Sequence, residues 1–286
     1  MKLRLYKTYP ARFNQREGTP DSALQPNPVR YYPSCDCLTS LYKSGKPREL
    51  AFHTEIQDTW SDAWRSLEEY IRKVEADGSD ELNPINGIGP AKWEQIVALP
   101  PSIANLQSVK VLSLYGSHLV RVPPEIGEMA NLEEFDVYTS YCLHWFPYEI
   151  THCKKLKRSR VSTRAIYGNY KNRAPFPRLP DVAPGIIPAR CSVCHGPFTK
   201  HGTHQLWVSI RVATDVLPLL VHACSVECVQ KLRKPPEEYV LGPHQGGLEV
   251  EQPPAASPRY RVVNNNQRPT DWSVEPNVPL DKNFPY

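Results

Sequence analysis

The residues best suited to chemistry are cysteines, of which the chain has eight. Cys191 and Cys194 form one close pair, Cys224 and Cys228 form another, and 29 residues separate the two pairs. Two such pairs can supply the four thiolates of a tetrahedral Zn²⁺ site, each pair contributing adjacent ligands from one turn. We therefore predict one structural zinc ion held by these four cysteines. Because four protein ligands close the coordination sphere, metal catalysis is disfavoured.

The residues between and after these pairs predict the elements that such a site needs. A strand is predicted over 205–212, a second strand over 219–223 after Pro218, and a helix beginning in 225–232. This order of elements is typical of a treble-clef-like zinc module. Nearby histidines are alternative ligands, although adjacency favours none of them: His195, His201, His204 and His222. The competing interpretation is four free, buried thiols.

The remaining cysteines give a weaker signal. Cys35 and Cys37 cannot complete a tetrahedron alone, so ordinary thiols are the simplest interpretation, with a redox pair or a second metal site as alternatives. The latter needs a histidine such as His53. Cys142 and Cys153 lie in or beside a repeat, where cysteine behaves as a small hydrophobic residue.

That repeat spans residues 99–161 and appears when the sequence is shifted against itself by 23 and then 24 residues. Three units share the pattern L-P-x-x-I-x-x-L-x-x-V/L-x-x-L-x-L, which is typical of leucine-rich repeats. Each unit has an apolar face that only stacking can bury, so we predict a short solenoid of parallel strands. Two features depart from the consensus. Ser159 stands in the column of Leu112 and Phe135, and Ser117 and Ser140 stand where asparagine is usual.

The strand positions that point away from the core place an acidic row beside a basic row. Cross-strand ion pairs such as Glu133 with Lys157 are the simpler explanation, and each is worth about 0–1 kcal/mol. The alternative is a recognition surface flanked by tyrosines, because aromatic and arginine side chains are enriched at binding hot spots. The candidate partner-binding residues are Lys110, Tyr115, Glu133, Glu134, Asp136, Tyr138, Lys157, Arg158 and Arg160.

The fold class predicted from these patterns is α/β. An amphipathic helix is predicted over 54–76, ending at Asp77-Gly78, with a short second helix over 91–97. Both would cap the open end of the solenoid. The predicted divisions are a proline-punctuated N-terminal segment (1–53), a helical cap (54–98), leucine-rich repeats (99–180), a zinc module (181–242) and an extended or disordered tail (243–286).

Charge and motif content narrow the function classes. The net charge is only +4, but residues 151–178 hold nine Lys or Arg and no Asp or Glu, so a nucleic-acid or acidic-ligand binder is an alternative. Nucleic acid is disfavoured because no nucleic-acid-binding motif accompanies the charge. No nucleophile elbow, phosphate-binding glycine loop or H-E-x-x-H motif occurs, which favours a non-enzymatic protein over a cysteine-dependent ligase or hydrolase. Without an apolar run of 18 residues or a signal-peptide core, we expect a cytoplasmic protein that does not bind membranes.

Several segments resemble a group of bacterial leucine-rich-repeat proteins. They are residues 112–127, 141–148, 162–169, 212–220 and 243–247. The resemblance covers most of the chain from about Trp60 to Gly247. It implies a bacterial cytoplasmic protein that binds another macromolecule, with a protein as the expected partner. Where such proteins are encoded beside toxins, a toxin-neutralising or immunity role follows from the resemblance.

Overall fold

The computed structural model describes residues 35, 37, 50–161, 166–168, 173–180, 187–198, 203–212, 215–232, 240 and 242–252. Most of the predicted N-terminal segment, much of the predicted tail and His201 lie outside these residues. The described part is a mixed α/β fold with two sheets. Its helices are α1 (Asp62–Asp77), α2 (Pro84–Gly87), α3 (Pro90–Trp93) and α4 (Val226–Gln230). Its strands are β1 (Glu81–Leu82), β2 (Val111–Ser113), β3 (Glu134–Asp136), β4 (Phe146–Pro147), β5 (Arg158–Arg160), β6 (His204–Val212) and β7 (Asp215–Ala223).

The helix α1 ends where the sequence predicts but begins eight residues later. The Ser61 side chain caps its first turn by accepting from the Trp64 amide, and Gly78 closes it in the left-handed conformation with φ of 62°. The residues before Ser61 bond elsewhere, since the Gln57 side chain accepts from the Val97 amide at 2.7 Å. Trp60, predicted on the apolar face, is therefore outside the helix and 86% exposed.

The first sheet is built from units that stack in parallel, in the order β1-β2-β3-β5. Leu112, Phe135 and Ser159 lie in register on neighbouring strands, which confirms the predicted alignment of the repeat columns. A five-residue 3₁₀ helix precedes each of β2, β3 and β5. These helices are Pro101–Asn105, Pro124–Glu128 and Tyr148–His152. The proline column supplies the extended residue before each of them, because its ring fixes φ near −70°.

Serines link neighbouring units where the consensus has asparagine. The Ser117 and Ser140 hydroxyls lie 2.7 Å apart, and the Ser140 hydroxyl also donates to the Leu114 carbonyl at 3.2 Å. Both side chains are fully buried. Hydrogen bonding between units therefore satisfies these buried hydroxyls without the longer amide side chain.

The second sheet joins the predicted zinc module to the predicted repeats. β6 and β7 form an antiparallel hairpin, and β4 pairs in parallel with β7 through Phe146 and Leu219. Leu217 and Leu219 belong to the same buried cluster as the repeat residues. β7 begins at Asp215, ahead of the predicted start after Pro218. The two parts share one core, and the division at residue 181 stays a prediction from sequence.

Candidate metal centre and candidate recognition face

The four predicted zinc ligands come together in the fold. The Sγ atoms of Cys191, Cys194, Cys224 and Cys228 all lie within 4.8 Å of one another. The Cys194–Cys224 and Cys224–Cys228 sulfur distances are both 3.6 Å. A tetrahedral zinc site with Zn–S bonds of about 2.3 Å needs sulfurs about 3.8 Å apart. The spacing thus fits a shared metal ion better than a disulfide, and all four cysteines are free thiols.

Three local structures position these sulfurs. Cys191 and Cys194 lie in a turn that closes through the Cys191 amide donating to the Gly196 carbonyl at 2.9 Å. Cys224 directly follows β7, and Cys228 lies on α4. The Ser225 hydroxyl caps α4 by accepting from the Cys228 amide at 3.3 Å. A turn, a strand end and a capped helix therefore converge on one point.

Backbone amides favour negative charge on one of these sulfurs. Burial alone raises the pKa of the Cys191 thiol, but the amides of Cys194, Val193 and Cys224 oppose it and bring the pKa down to about 7. In contrast, the neighbouring thiols of Cys228 and Cys194 raise the pKa of Cys224 to about 12. Four crowded thiols cannot all ionise unless a cation compensates their charge, and a coordinated metal deprotonates thiols outright.

The alternative histidine ligands lie outside the sulfur group. Among the described residues, the group that could hold an ion at this point contains cysteines only. The His195 ring instead packs against His152, with centroids 4.6 Å apart. The His222 amide donates to the Ser192 hydroxyl at 2.9 Å. His204 begins β6.

A buried carboxyl group, that of Glu149, connects the cysteine turn to the third repeat unit. The sequence analysis did not predict this connection. Glu149 lies in the 3₁₀ helix Tyr148–His152, is 9% exposed and hydrogen-bonds with Ser192. Burial raises its pKa to about 7, although the bond with Ser192 opposes the shift. His152 lies in the same helix, and burial followed by the charge of His195 lowers its pKa to about 4. Ser102 and Glu125, which align with Glu149 in the other units, are only half-buried, so the repeat pattern gives no signal that Glu149 is buried.

The acidic row of the first sheet pairs with the basic row on the neighbouring strand, and each such cross-strand ion pair is called a rung here. Lys157 approaches Glu133 at 3.2 Å and Arg158 approaches Glu134 at 3.4 Å. Arg160 donates to the Asp136 carboxylate. The simpler of the two interpretations, cross-strand ion pairing, is therefore confirmed. The Lys110 backbone carbonyl accepts from the amides of Glu133 and Glu134, but its side chain lies 4.0 Å from Asp80 instead.

In these pairs the basic side chains are more exposed to solvent than the carboxylates. The side chains of Lys157 and Arg158 are 67% and 62% exposed, whereas those of Glu133 and Glu134 are 30% and 28% exposed. The surface that a partner would meet is consequently cationic, even though the rungs are neutral as pairs.

Two tyrosines flank the innermost rung, as the sequence predicts. The Tyr115 and Tyr138 rings are stacked with centroids 6.2 Å apart, and the Arg160 guanidinium lies 6.0 Å above the Tyr115 ring. Asp136 beneath them is buried and accepts from the Tyr138 amide at 3.1 Å. Burial raises the pKa of Asp136, and the Tyr138 amide and Arg160 oppose that shift.

The structure also gathers the unassigned cysteines. Cys37 Sγ lies 3.2 Å from His53 Nε2, and Cys35 Sγ lies 3.3 Å from His144 Nε2. The sequence offered His53 as a ligand of a second site, but not His144. Since His144 lies more than a hundred residues from both cysteines, no local spacing connects them.

Comparison with solved structures gives a short similarity to another protein. A leucine-rich-repeat protein of Leptospira interrogans matches at 32% identity over 23% of this chain and 16% of that chain, with a TM-score of 0.21. The match thus spans only 16% of the length of that protein. No family model matches, and neither does any curated protein. None of the described helices has the length and apolar character needed to cross a membrane.

We predict that Arg160→Met destabilises the fold more than Lys157→Met does. Removing Arg160 leaves the buried Asp136 carboxylate without its cation, at a cost of about 1–3 kcal/mol. Lys157→Met breaks a pair between more exposed groups, worth less than about 1 kcal/mol. Urea denaturation of both variants gives the two free energies of unfolding. Equal losses would contradict the burial argument.

We predict that Glu149→Gln stabilises the protein more at pH 8 than at pH 5. The folded-state pKa is raised, so the stability that Glu149 contributes is full below about pH 4.5 and is lost as pH rises through about 7. The variant avoids that loss, which amounts to as much as about 3 kcal/mol. Denaturation at both pH values gives the difference in free energy of unfolding between the variant and the wild type, and Glu128→Gln at an exposed position is the control. A gain independent of pH would contradict the assignment.

Proposed function

We propose that the chain is a non-enzymatic recognition module, in which a short leucine-rich-repeat solenoid presents the face of β2, β3 and β5 to a protein partner. The observation that carries the proposal is the outward position of Lys157 and Arg158 above less exposed carboxylates. The exposed Tyr138 lies beside the neighbouring pair of Asp136 and Arg160. Arginine and tyrosine side chains are those most often found at binding hot spots. The parallel register and the repeated 3₁₀ helices support the solenoid.

The chemistry of this face favours a partner with an acidic surface. Each basic side chain can keep its cross-strand carboxylate and also meet a partner carboxylate, since an ammonium has three hydrogen-bond donors and a guanidinium has five. Tyr138, at 44% exposure, adds apolar area beside the Asp136–Arg160 pair. Because the cations are already half-neutralised, the face suits a protein better than the dense charge of nucleic acid. A toxin-neutralising or immunity role is the more specific form of this proposal and rests on the resemblance alone.

The four-cysteine cluster has a structural role in this proposal. A zinc ion bound there would fix the turn of Cys191 and Cys194 against β7 and α4, and that turn contacts Glu149 through Ser192. The metal would thereby hold the hairpin onto the last repeat unit and cover the apolar end of the stack. Open solenoid ends need such a cover.

We predict that Cys194→Ser removes one zinc equivalent per chain and lowers the melting temperature, because metal binding is coupled to folding. Inductively coupled plasma mass spectrometry gives the metal content, and calorimetry gives the melting temperature. Cys153→Ala, in the repeat core, serves as a control that lowers stability without loss of metal. An unchanged zinc content in Cys194→Ser would exclude this site.

We predict that the double variant Lys157→Glu/Arg158→Glu weakens binding to the partner at least about tenfold, because like charges then face an acidic surface. This pair is preferred to one that includes Arg160, because the loss of Arg160 would also leave the buried Asp136 carboxylate without its cation. The partner is first captured from native lysate and then titrated in purified form by calorimetry. Tyr138→Ser should also weaken binding, without a change in salt dependence.

The matched control is Arg72→Glu/Lys73→Glu, which makes the same charge change on the exposed side of α1. It should leave affinity unchanged. Equal losses in both double variants would indicate a nonspecific charge effect, and no loss in either would exclude the β2-β3-β5 face. Capture that disappears after nuclease treatment would favour the nucleic-acid alternative.

A further inference from the structure

We propose that Cys35, Cys37, His53 and His144 form a second zinc site that fastens the N-terminal part of the chain to the loop before β4. Their ligand atoms all lie within 4.8 Å of one another. The two shortest sulfur–nitrogen distances are 3.2 and 3.3 Å. A tetrahedral zinc ion holds sulfur and nitrogen ligands about 3.6 Å apart, so a small outward movement accommodates the ion.

A carboxylate orients one of the imidazoles as a metal ligand requires. His53 Nδ1 lies 2.9 and 3.1 Å from the two carboxylate oxygens of Glu55. This bond places the proton on Nδ1 and leaves the Nε2 lone pair directed at the sulfur of Cys37. Metal-bound histidines commonly donate their second nitrogen to a carboxylate in this way. Arg121 donates to the backbone carbonyl of Glu55 and holds this partner in place.

The second imidazole is buried and faces the same point. His144 is 1% exposed, and its Nε2 lies 3.3 Å from Cys35 Sγ. Its Nδ1 has no hydrogen-bond partner among the described residues. Burying an imidazole costs free energy when a ring nitrogen lacks a hydrogen bond, and coordination of a metal ion through Nε2 would offset this cost.

Aromatic packing fixes the backbone on which both histidines stand. Phe52 precedes His53 and Trp145 follows His144, and their rings lie 6.1 Å apart against Trp207. The Tyr167 hydroxyl donates to the His144 carbonyl at 2.6 Å. The Ala51 amide donates to the Cys37 carbonyl at 3.0 Å, which brings the cysteine segment to the histidine segment. The cluster is therefore supported by the core on more than one side.

The donor set selects the metal. Two thiolates and two imidazoles in a compact group are typical of tetrahedral zinc, and four protein ligands leave no open position for catalysis. Cys142 also hydrogen-bonds with Cys35 but is not part of the four-residue group. Because Cys142 lies close to Cys35, a disulfide between these two cysteines is the main alternative to a zinc site. The experiment distinguishes the disulfide from the zinc site.

The test uses the full chain purified without chelator. Elemental analysis should give two zinc equivalents per chain, one for each cluster. X-ray absorption should then give an average of about three sulfur and one nitrogen ligand per zinc, because one site has four sulfurs and the other has two sulfurs and two nitrogens. This wild-type measurement does not depend on whether any variant folds. One equivalent with sulfur ligands alone would overturn the proposal.

Variants show which cluster binds each of the two zinc ions. Cys35→Ser and His53→Gln should each lose one zinc, and the metal that remains should show four sulfur ligands. Cys194→Ser should lose the other zinc and leave a spectrum with two sulfurs and two nitrogens, which separates this site from the four-cysteine site. The matched control Cys142→Ser should keep two equivalents. Loss of zinc in that control, or a disulfide at Cys35 found by mass spectrometry together with a single equivalent, would overturn the assignment.

Discussion

The parallel register of β2, β3 and β5 is the constraint on which the rest of the structure depends. Each strand has only three residues, so none could persist without its neighbours, and the stack buries Leu112, Phe135 and Ser159 as one row. The same register brings Glu134 opposite Arg158 and Asp136 opposite Arg160. The register therefore determines both the buried row and the charged surface. Shifting a strand by one residue would turn its paired charged side chains toward the core.

The third repeat unit is where the remaining parts attach. β4 carries the hairpin through its pairing with β7, and Glu149, two residues after β4, contacts the cysteine turn. Tyr148 packs against both the repeat core and the core beneath the four cysteines. His144, two residues before β4, faces the other cysteine pair. β4 pairs with β7 through only two residue pairs. Metal ions bound at the two clusters on either side of β4 would hold the surrounding segments together more firmly than this short pairing can.

Sequence reasoning could predict what local spacing encodes. The repeat columns, the hairpin, the end of α1 at Gly78 and the four-cysteine cluster all follow from residues close together or from a fixed period. It placed the start of α1 too early, because Gln57 is bound to the amide of Val97, far along the chain. It missed His144 and Glu149 for the same reason. Their roles arise when distant segments meet, and neither residue stands in a short motif.

Ion pairing and recognition are not exclusive interpretations of the charged face. An exposed rung contributes too little free energy to explain the charges as a stability device, since such pairs are worth about 0–1 kcal/mol. The covered Asp136 differs, because it is committed to Arg160 and to the Tyr138 amide. The inner rung therefore fixes the tyrosines in place, and the outer two rungs hold Lys157 and Arg158 in defined positions. Side chains held in this way would lose less conformational entropy on binding, which is the advantage that charge pairing would give the proposed recognition face.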